Sequence, residues 1–230
     1  MRKMMITAHS GCEGTPDNSM ESILRGVELG ADCVEIDIRM DEKGGMWLTH
    51  DAAADYASAV PLEEALRTIA AGGAAVNCDL KEERAFLPTL EMAEACGIPR
   101  DKLIFSGSVD VNALAEQPEI ARRARIFLNS EELCRYMAEV FPETREAQTA
   151  YIMENLTEAA ALMKKLGVEA LNAPYKYLTD DEMARLRAAG VQLSLWTVND
   201  ETDQAWLMKA DLVNMTTRSV VSAMNARSKG

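Results

Sequence analysis

Runs rich in β-formers alternate with helical patterns along the whole chain, and parallel strands joined by crossover helices are the arrangement that such an alternation produces. Nine runs read as strands: Met4 to Ala8, Cys33 to Ile38, Met46 to Thr49, Ala75 to Leu80, Leu103 to Ser106, Arg125 to Leu128, Glu169 to Asn172, Val191 to Trp196 and Leu212 to Asn214. The third follows the second across Asp41-Glu42-Lys43-Gly44-Gly45, too short for a crossover helix, so it reads as an extension or side hairpin. The helices between carry their own end signals. Asn18, with Glu21 three residues on, reads as an N-cap ahead of Met20, Ile23, Leu24 and Val27 at helical spacing, with Gly30 as the stop. A helix over Thr157 to Leu166 stops at Gly167; Thr179 with Glu182 forms a capping-box signature before Met183 and Leu186, with Gly190 beyond. Eight β-α units in 230 residues suit one closed (β/α)₈ barrel, because closure removes both sheet edges; a doubly wound open sheet meets the same periodicity. No linker rich in Pro, Gly or Ser interrupts the pattern, so residues 1–230 are expected to form a single domain.

Composition narrows the partners. The chain is 48% hydrophobic and carries a formal net charge of −13, a globular and acidic balance that repels phosphate backbones. No Lys/Arg cluster interleaved with aromatics appears, so nucleic acid is not expected as a partner. No apolar run approaches the roughly 18–20 residues of a membrane helix, and the N-terminal stretch from Met1 meets His9 before a signal-peptide core could form. A soluble, cytoplasmic protein is expected. The five cysteines, Cys12, Cys33, Cys78, Cys96 and Cys134, show no metal-ligand spacing and read as reduced thiols.

The residues with chemistry fall at strand ends. The two histidines, His9 and His50, each close a strand run, and in either architecture that end carries the site. Glu35 and Asp37 stand two apart in an otherwise apolar strand, hence on one face, while Val34, Ile36 and Ile38 fill the other. Two buried carboxylates repel each other and lose hydration, so they need a cation, and a hard divalent metal suits them. Asp79 can complete an oxygen-rich set of three, and Lys81 can place a positive charge on a phosphoryl oxygen; alternatively, these two are a helix-entry cap and a solvated charge. Two imidazoles flanking a phosphodiester can divide proton removal and proton donation, since both titrate near neutrality.

These residues also carry a resemblance. His9-Ser10-Gly11, Pro16-Asp17-Asn18-Ser19, the run from Gly30 through Glu35 and Asp37 to Arg39, and His50-Asp51 resemble, in order and spacing, the opening of the glycerophosphodiester phosphodiesterase family. Pro61 to Leu66, Asn77-Cys78-Asp79-Leu80-Lys81 and Leu195-Trp196-Thr197-Val198-Asn199 continue the likeness. The resemblance implies a TIM barrel that hydrolyses a small-molecule glycerophosphodiester to an alcohol and glycerol phosphate with a divalent cation, Mg²⁺ or Ca²⁺. It further implies that His9 and His50 are the acid/base pair, that Glu35, Asp37 and Asp79 hold the metal, that Lys81 contacts the phosphate, and that Trp196 lines the substrate pocket. Departures accompany it. Ser10 stands where the family has Arg, and is the substrate contact expected at that position; Asp17 and Asp79 replace Glu, the latter as in the related sphingomyelinase D type. Only Ala52 to Val60 separate His50-Asp51 from Pro61, where most bacterial members insert several tens of residues. Two alternatives follow: a lyase that releases a cyclic phosphate, and a barrel that keeps metal and phosphate binding but has lost turnover.

Overall fold

The computed structural model describes residues 3–229; Met1 and Arg2, the start of the N-terminal stretch read above, lie outside the described residues. In chain order the strands are β1 (Met5–Ala8), β2 (Cys33–Met40), β3 (Met46–Leu48), β4 (Val60–Pro61), β5 (Ala75–Leu80), β6 (Leu103–Gly107), β7 (Arg125–Asn129), β8 (Ala170–Pro174), β9 (Leu193–Trp196) and β10 (Asn214–Thr217). All but β3 and β4 pair in parallel, in the order β1-β10-β9-β8-β7-β6-β5-β2, and a β2–β1 pairing through Thr7↔Cys33 and Ala8↔Val34 closes the cylinder. Closure excludes the open sheet and yields a TIM barrel of eight parallel strands with two extra strands, β3 and β4. Those two form an antiparallel ribbon on β2, through Ile38↔Leu48 and Trp47↔Pro61.

Side chains of a strand alternate between faces, and here the alternation separates two environments. Outward positions such as Ile36, Val76, Phe105, Ile126 and Leu195 join the large apolar core beneath the helices. Inward positions begin with a separate apolar plug of Cys33, Ala75, Ile104, Phe127, Ala170 and Val213. Two residues further along β2, β5, β6, β7 and β8 the inward side chains turn polar, at Glu35, Asn77, Ser106, Asn129 and Asn172. The site therefore stands on an apolar floor. Below the plug, Arg125 and Glu169 form a two-pronged ion pair, with both N–H···O distances at 2.8 Å.

The helix ends agree with the sequence at Gly167, a left-handed C-cap, and at Thr179–Glu182, a complete capping box. Two expectations are corrected. The N-cap of the first helix, Met20–Glu28, is Ser19, which accepts from the Ser22 N–H, and Asn18 is left for another task. The last strand lies at Asn214–Thr217, beginning where the expected Leu212 to Asn214 ends. Its polarity conceals it, because Asn214 faces a buried polar network with Thr7 and Ser194. Among the described residues, no helix is long and apolar enough to cross a membrane.

Candidate active site

The C-terminal ends of the barrel strands open into a cavity of about 530 Å³. One half of its wall, on β1, β2 and β5, presents His9, Glu35, Asp37, Asp79 and Lys81, with His50 above them. The other half, on β7, β9 and the helices Ser130–Met137 and Arg145–Glu154, presents Asn129, Glu131, Arg135, Arg145 and Trp196. His9 follows β1 directly. His50 arrives differently from the sequence reading: β3 runs antiparallel to the barrel, and its return, sealed by the Thr49 N–H bonded to the Asp37 carbonyl, brings His50 back to the same mouth.

The three acids converge. Glu35 and Asp37 are 5% and 3% exposed, which rules out a peripheral, solvated strand. Neighbouring register places Asp37 beside Asp79, and one oxygen from each of Glu35, Asp37 and Asp79 lies within 4.8 Å of the others. Lys81 Nζ lies 2.7 Å from Asp37 Oδ1 and also bonds Asp79, so neither is a helix cap or a solvated charge. Asn18 grips Asp37 twice: its Nδ2 donates to Oδ2 at 2.8 Å, and its Oδ1 accepts from the Asp37 backbone N–H at 3.0 Å. That grip places Asn18 at φ 52°, in the left-handed region that Asn tolerates better than most residues. Ser106 donates to Asp79 Oδ1 at 2.8 Å, and the Ser10 N–H donates to Glu35 Oε2 at 2.8 Å. Gly107, at φ +73°, lets β6 come this close; a Cβ there would meet the Leu80 carbonyl and stand 2.8 Å from Asp79 Oδ1.

Burial pushes the Glu35 carboxyl well above its ordinary pKa, and the charges of Asp37 and Asp79 push the same way. Burial also raises Asp37, but the Lys81 ammonium and the Asn18 amide outweigh it and hold Asp37 below its ordinary value. For Lys81 the balance is the converse: burial lowers it, Asp79 and Asp37 prevail, and the ammonium is held charged. The set fits a hard divalent cation. Its donors are carboxylate oxygens, its geometry brings three of them together, and one ammonium leaves it negatively charged.

The imidazoles are oriented by their Nδ1 atoms. His9 Nδ1 sits 2.8 Å from the Ser10 carbonyl, an acceptor only, so Nδ1 carries the hydrogen and Nε2 is left as acceptor. Desolvation lowers the His9 pKa; the Ser10 carbonyl and the nearby carboxylates oppose this without reversing it. His50 is exposed, and its Nδ1 lies 2.9 Å from Asp51 Oδ1. Trp196 lines the cavity, with the Arg145 guanidinium 5.7 Å over its ring. Ser10 stands apart from the expected substrate contacts. It is 2% exposed, its hydroxyl accepts from the Asn18 N–H, and it is not among the cavity-lining residues.

Sequence reasoning missed Asn18, Ser106, Arg145 and Arg218. Asn18 stands at a helix start, where a polar residue satisfies capping preference and so gives no sign of its bond to Asp37. Arg145 Nη1 pairs with Glu131 at 2.7 Å, and Arg218 Nη1 pairs with Asp17, so guanidinium groups enter the mouth from remote segments although none follows His9. The cysteines are all free, and burial raises each thiol, Cys33 and Cys134 to about 12, as expected of inert thiols.

Residues 9–218 match the model of the glycerophosphoryl diester phosphodiesterase family. No curated protein sequence matches the chain. Among solved structures, a glycerophosphodiester phosphodiesterase from Parabacteroides distasonis superposes with a TM-score of 0.73 at 16% identity, covering 99% of this chain and 98% of that one. The Thermotoga maritima glycerophosphodiester phosphodiesterase gives 0.68 at 18% identity, covering 99% of each chain. An Oleispira antarctica phosphodiesterase, solved with its product sn-glycerol-3-phosphate, gives 0.68 at 19% identity over 97% of this chain and 96% of that one. At such identities these likenesses establish the fold.

Proposed function

The chain belongs to the glycerophosphoryl diester phosphodiesterase family and is thus a hydrolase of phosphoric diesters; from that premise we propose that it cleaves glycerophosphodiesters to an alcohol and glycerol phosphate, with His9 and His50 as acid/base pair and Glu35, Asp37 and Asp79 holding a divalent cation. The observation that carries this reading is convergence: both imidazoles and the three acids line one cavity at one end of the barrel. The product seen in the Oleispira enzyme supports the substrate class.

His9 is neutral at neutral pH, with Nε2 open, and takes the proton from the attacking oxygen. His50, steadied by Asp51, returns a proton to the leaving alkoxide. Lys81 neutralises a phosphoryl oxygen once Asp37 and Asp79 are engaged elsewhere. Mg²⁺ or Ca²⁺, when bound, supplies Lewis-acid neutralisation of the non-bridging oxygens. Trp196 and Arg145 form the wall against which one alcohol arm lies.

Turnover of a glycerophosphodiester panel, followed by phosphorus NMR, tests this. A chelator should abolish release of glycerol phosphate, and His9→Ala or His50→Ala should each reduce the rate about 10²–10⁴-fold. A cyclic phosphate as the end product would favour the lyase chemistry. Ligand-induced thermal stabilisation with no product would favour a binding barrel.

A further inference from the structure

Asn77 is 5% exposed and lines the cavity floor, yet its Oδ1 is one of two buried side-chain polar atoms, among the described residues, with no hydrogen-bond partner. A buried, unpaired amide oxygen is costly, and native structures contain few of them. The neighbours of Asn77 explain why no protein group relieves it. In the sheet it pairs with Glu35 on β2 and with Ile104 on β6, and two residues on along β5, on the same face, stands Asp79. The Glu35 carboxyl accepts from the Ser10 N–H, the Asp79 carboxylate accepts from Ser106 and Lys81, and Ile104 offers nothing polar. The nearest ammonium, Lys81, bonds Asp37 and Asp79. A buried carbonyl oxygen with no donor in the protein is satisfied by a cation or a water held by one, and amide oxygens are ordinary ligands of hard divalent metals.

We propose that Asn77 Oδ1 is a fourth, neutral oxygen donor to the cation held by Glu35, Asp37 and Asp79, either directly or through one of its waters. The inference rests on the reading of the acid cluster as a cation site and extends it by a residue on the deeper layer of the barrel. A neutral donor adds coordination without adding to the repulsion among three carboxylates. Removal of that donor alters cation binding and not the fold.

Calorimetric titration of the whole protein with Ca²⁺ and with Mg²⁺, beside melting temperatures in chelator, tests this on wild type, Asn77→Leu and Asn77→Asp. Asn77→Leu should melt in chelator at or above the wild-type temperature, since the orphan oxygen is gone, yet bind the cation about 10–100-fold more weakly. Asn77→Asp, which keeps an oxygen there, should restore the affinity. Equal affinities in wild type and Asn77→Leu overturn the assignment of Asn77 alone. A wild type that takes up neither cation overturns the cluster reading and this inference together. Should Asn77→Leu fail to fold, Asn77→Ala replaces it, and unchanged cation affinity there overturns the assignment equally.

Discussion

Lys81 and a divalent cation are rivals for the same two carboxylates, and their rivalry can be measured. Lys81 Nζ bonds Asp37 and Asp79, with the Lys81 side chain 16% exposed and the acids 5% and 17%. Lys81→Met keeps the aliphatic stem and removes the charge, leaving three acids within 4.8 Å of one another with no ammonium between them. Removing one partner of a buried ion pair costs about 3–5 kcal/mol. A chain of this size shifts its melting temperature by about 2–4 °C per kcal/mol, so the variant should melt roughly 6–20 °C below wild type in chelator. Ca²⁺ or Mg²⁺ at one fixed concentration, about a hundredfold over the wild-type Kd, adds about 2.7 kcal/mol to the wild type. The increment should be larger in the variant, where the cation displaces no ammonium. The sign with pH is also determined. Lys81 holds Asp37 below its ordinary pKa, so its contribution is full above about pH 4 and fades as pH falls through the lowered folded value; the gap between variant and wild type should close in acid. Scanning calorimetry with and without chelator reads all three quantities. Equal melting temperatures in chelator at pH 7, or equal cation increments, would refute the reasoning.

Three further outcomes are expected. In chelated protein the His9 imidazole should titrate by NMR below about 6.5, because desolvation outweighs the Ser10 carbonyl and the neighbouring acids; it then contributes stability above that pH and loses it as pH falls through its folded value, and a midpoint at or above 6.5 contradicts the burial argument. Gly107→Ala places a Cβ at φ +73°, a conformation that costs about 1–2 kcal/mol before its clash with the Leu80 backbone is added, and crowds Asp79; melting temperature and cation affinity should fall together, and a fall in melting temperature alone would dissociate Gly107 from the site. Arg125→Met removes the guanidinium that pairs with Glu169 and packs on Phe127 beneath the apolar plug, and should cost about 0.5–3 kcal/mol of stability with kcat/KM unchanged below the melting range; a loss of kcat/KM there would mean that the floor does not isolate the mouth.

The barrel was legible because its signals are local. The capping box at Thr179 and the glycine stop at Gly167 act within a few residues, and the apolar outward face of β2 repeats at the strand period. What was illegible depended on partners far along the chain. β10 is polar where a strand pattern expects apolar residues, because Asn214 accepts from Thr7 and donates to Ser194 and Thr216 inside the closed cylinder. The two-residue strand β4 exists only because β3 lies beside it.

The site divides along the same line. Glu35 and Asp37 declare themselves by spacing, since two acids on one face of an apolar strand contradict the core unless a cation resolves them. Asn18 carries no such contradiction: an Asn before a helix satisfies capping preference, and only the fold shows that Ser19 caps while Asn18 reaches across 19 positions to Asp37. Ser10 illustrates the converse. Its hydroxyl and both its backbone polar groups are spent on Asn18, Glu35 and His9, so the position after His9 holds the acid cluster and the imidazole together from below. A guanidinium at that position would have to leave the loop to reach the mouth, whereas Arg145 already stands over Trp196, steadied by Glu131. The cavity therefore holds guanidinium charge although none follows His9: Arg145 stands on the facing wall, and Arg218 lies on the His9 side, close enough to help lower the His9 pKa.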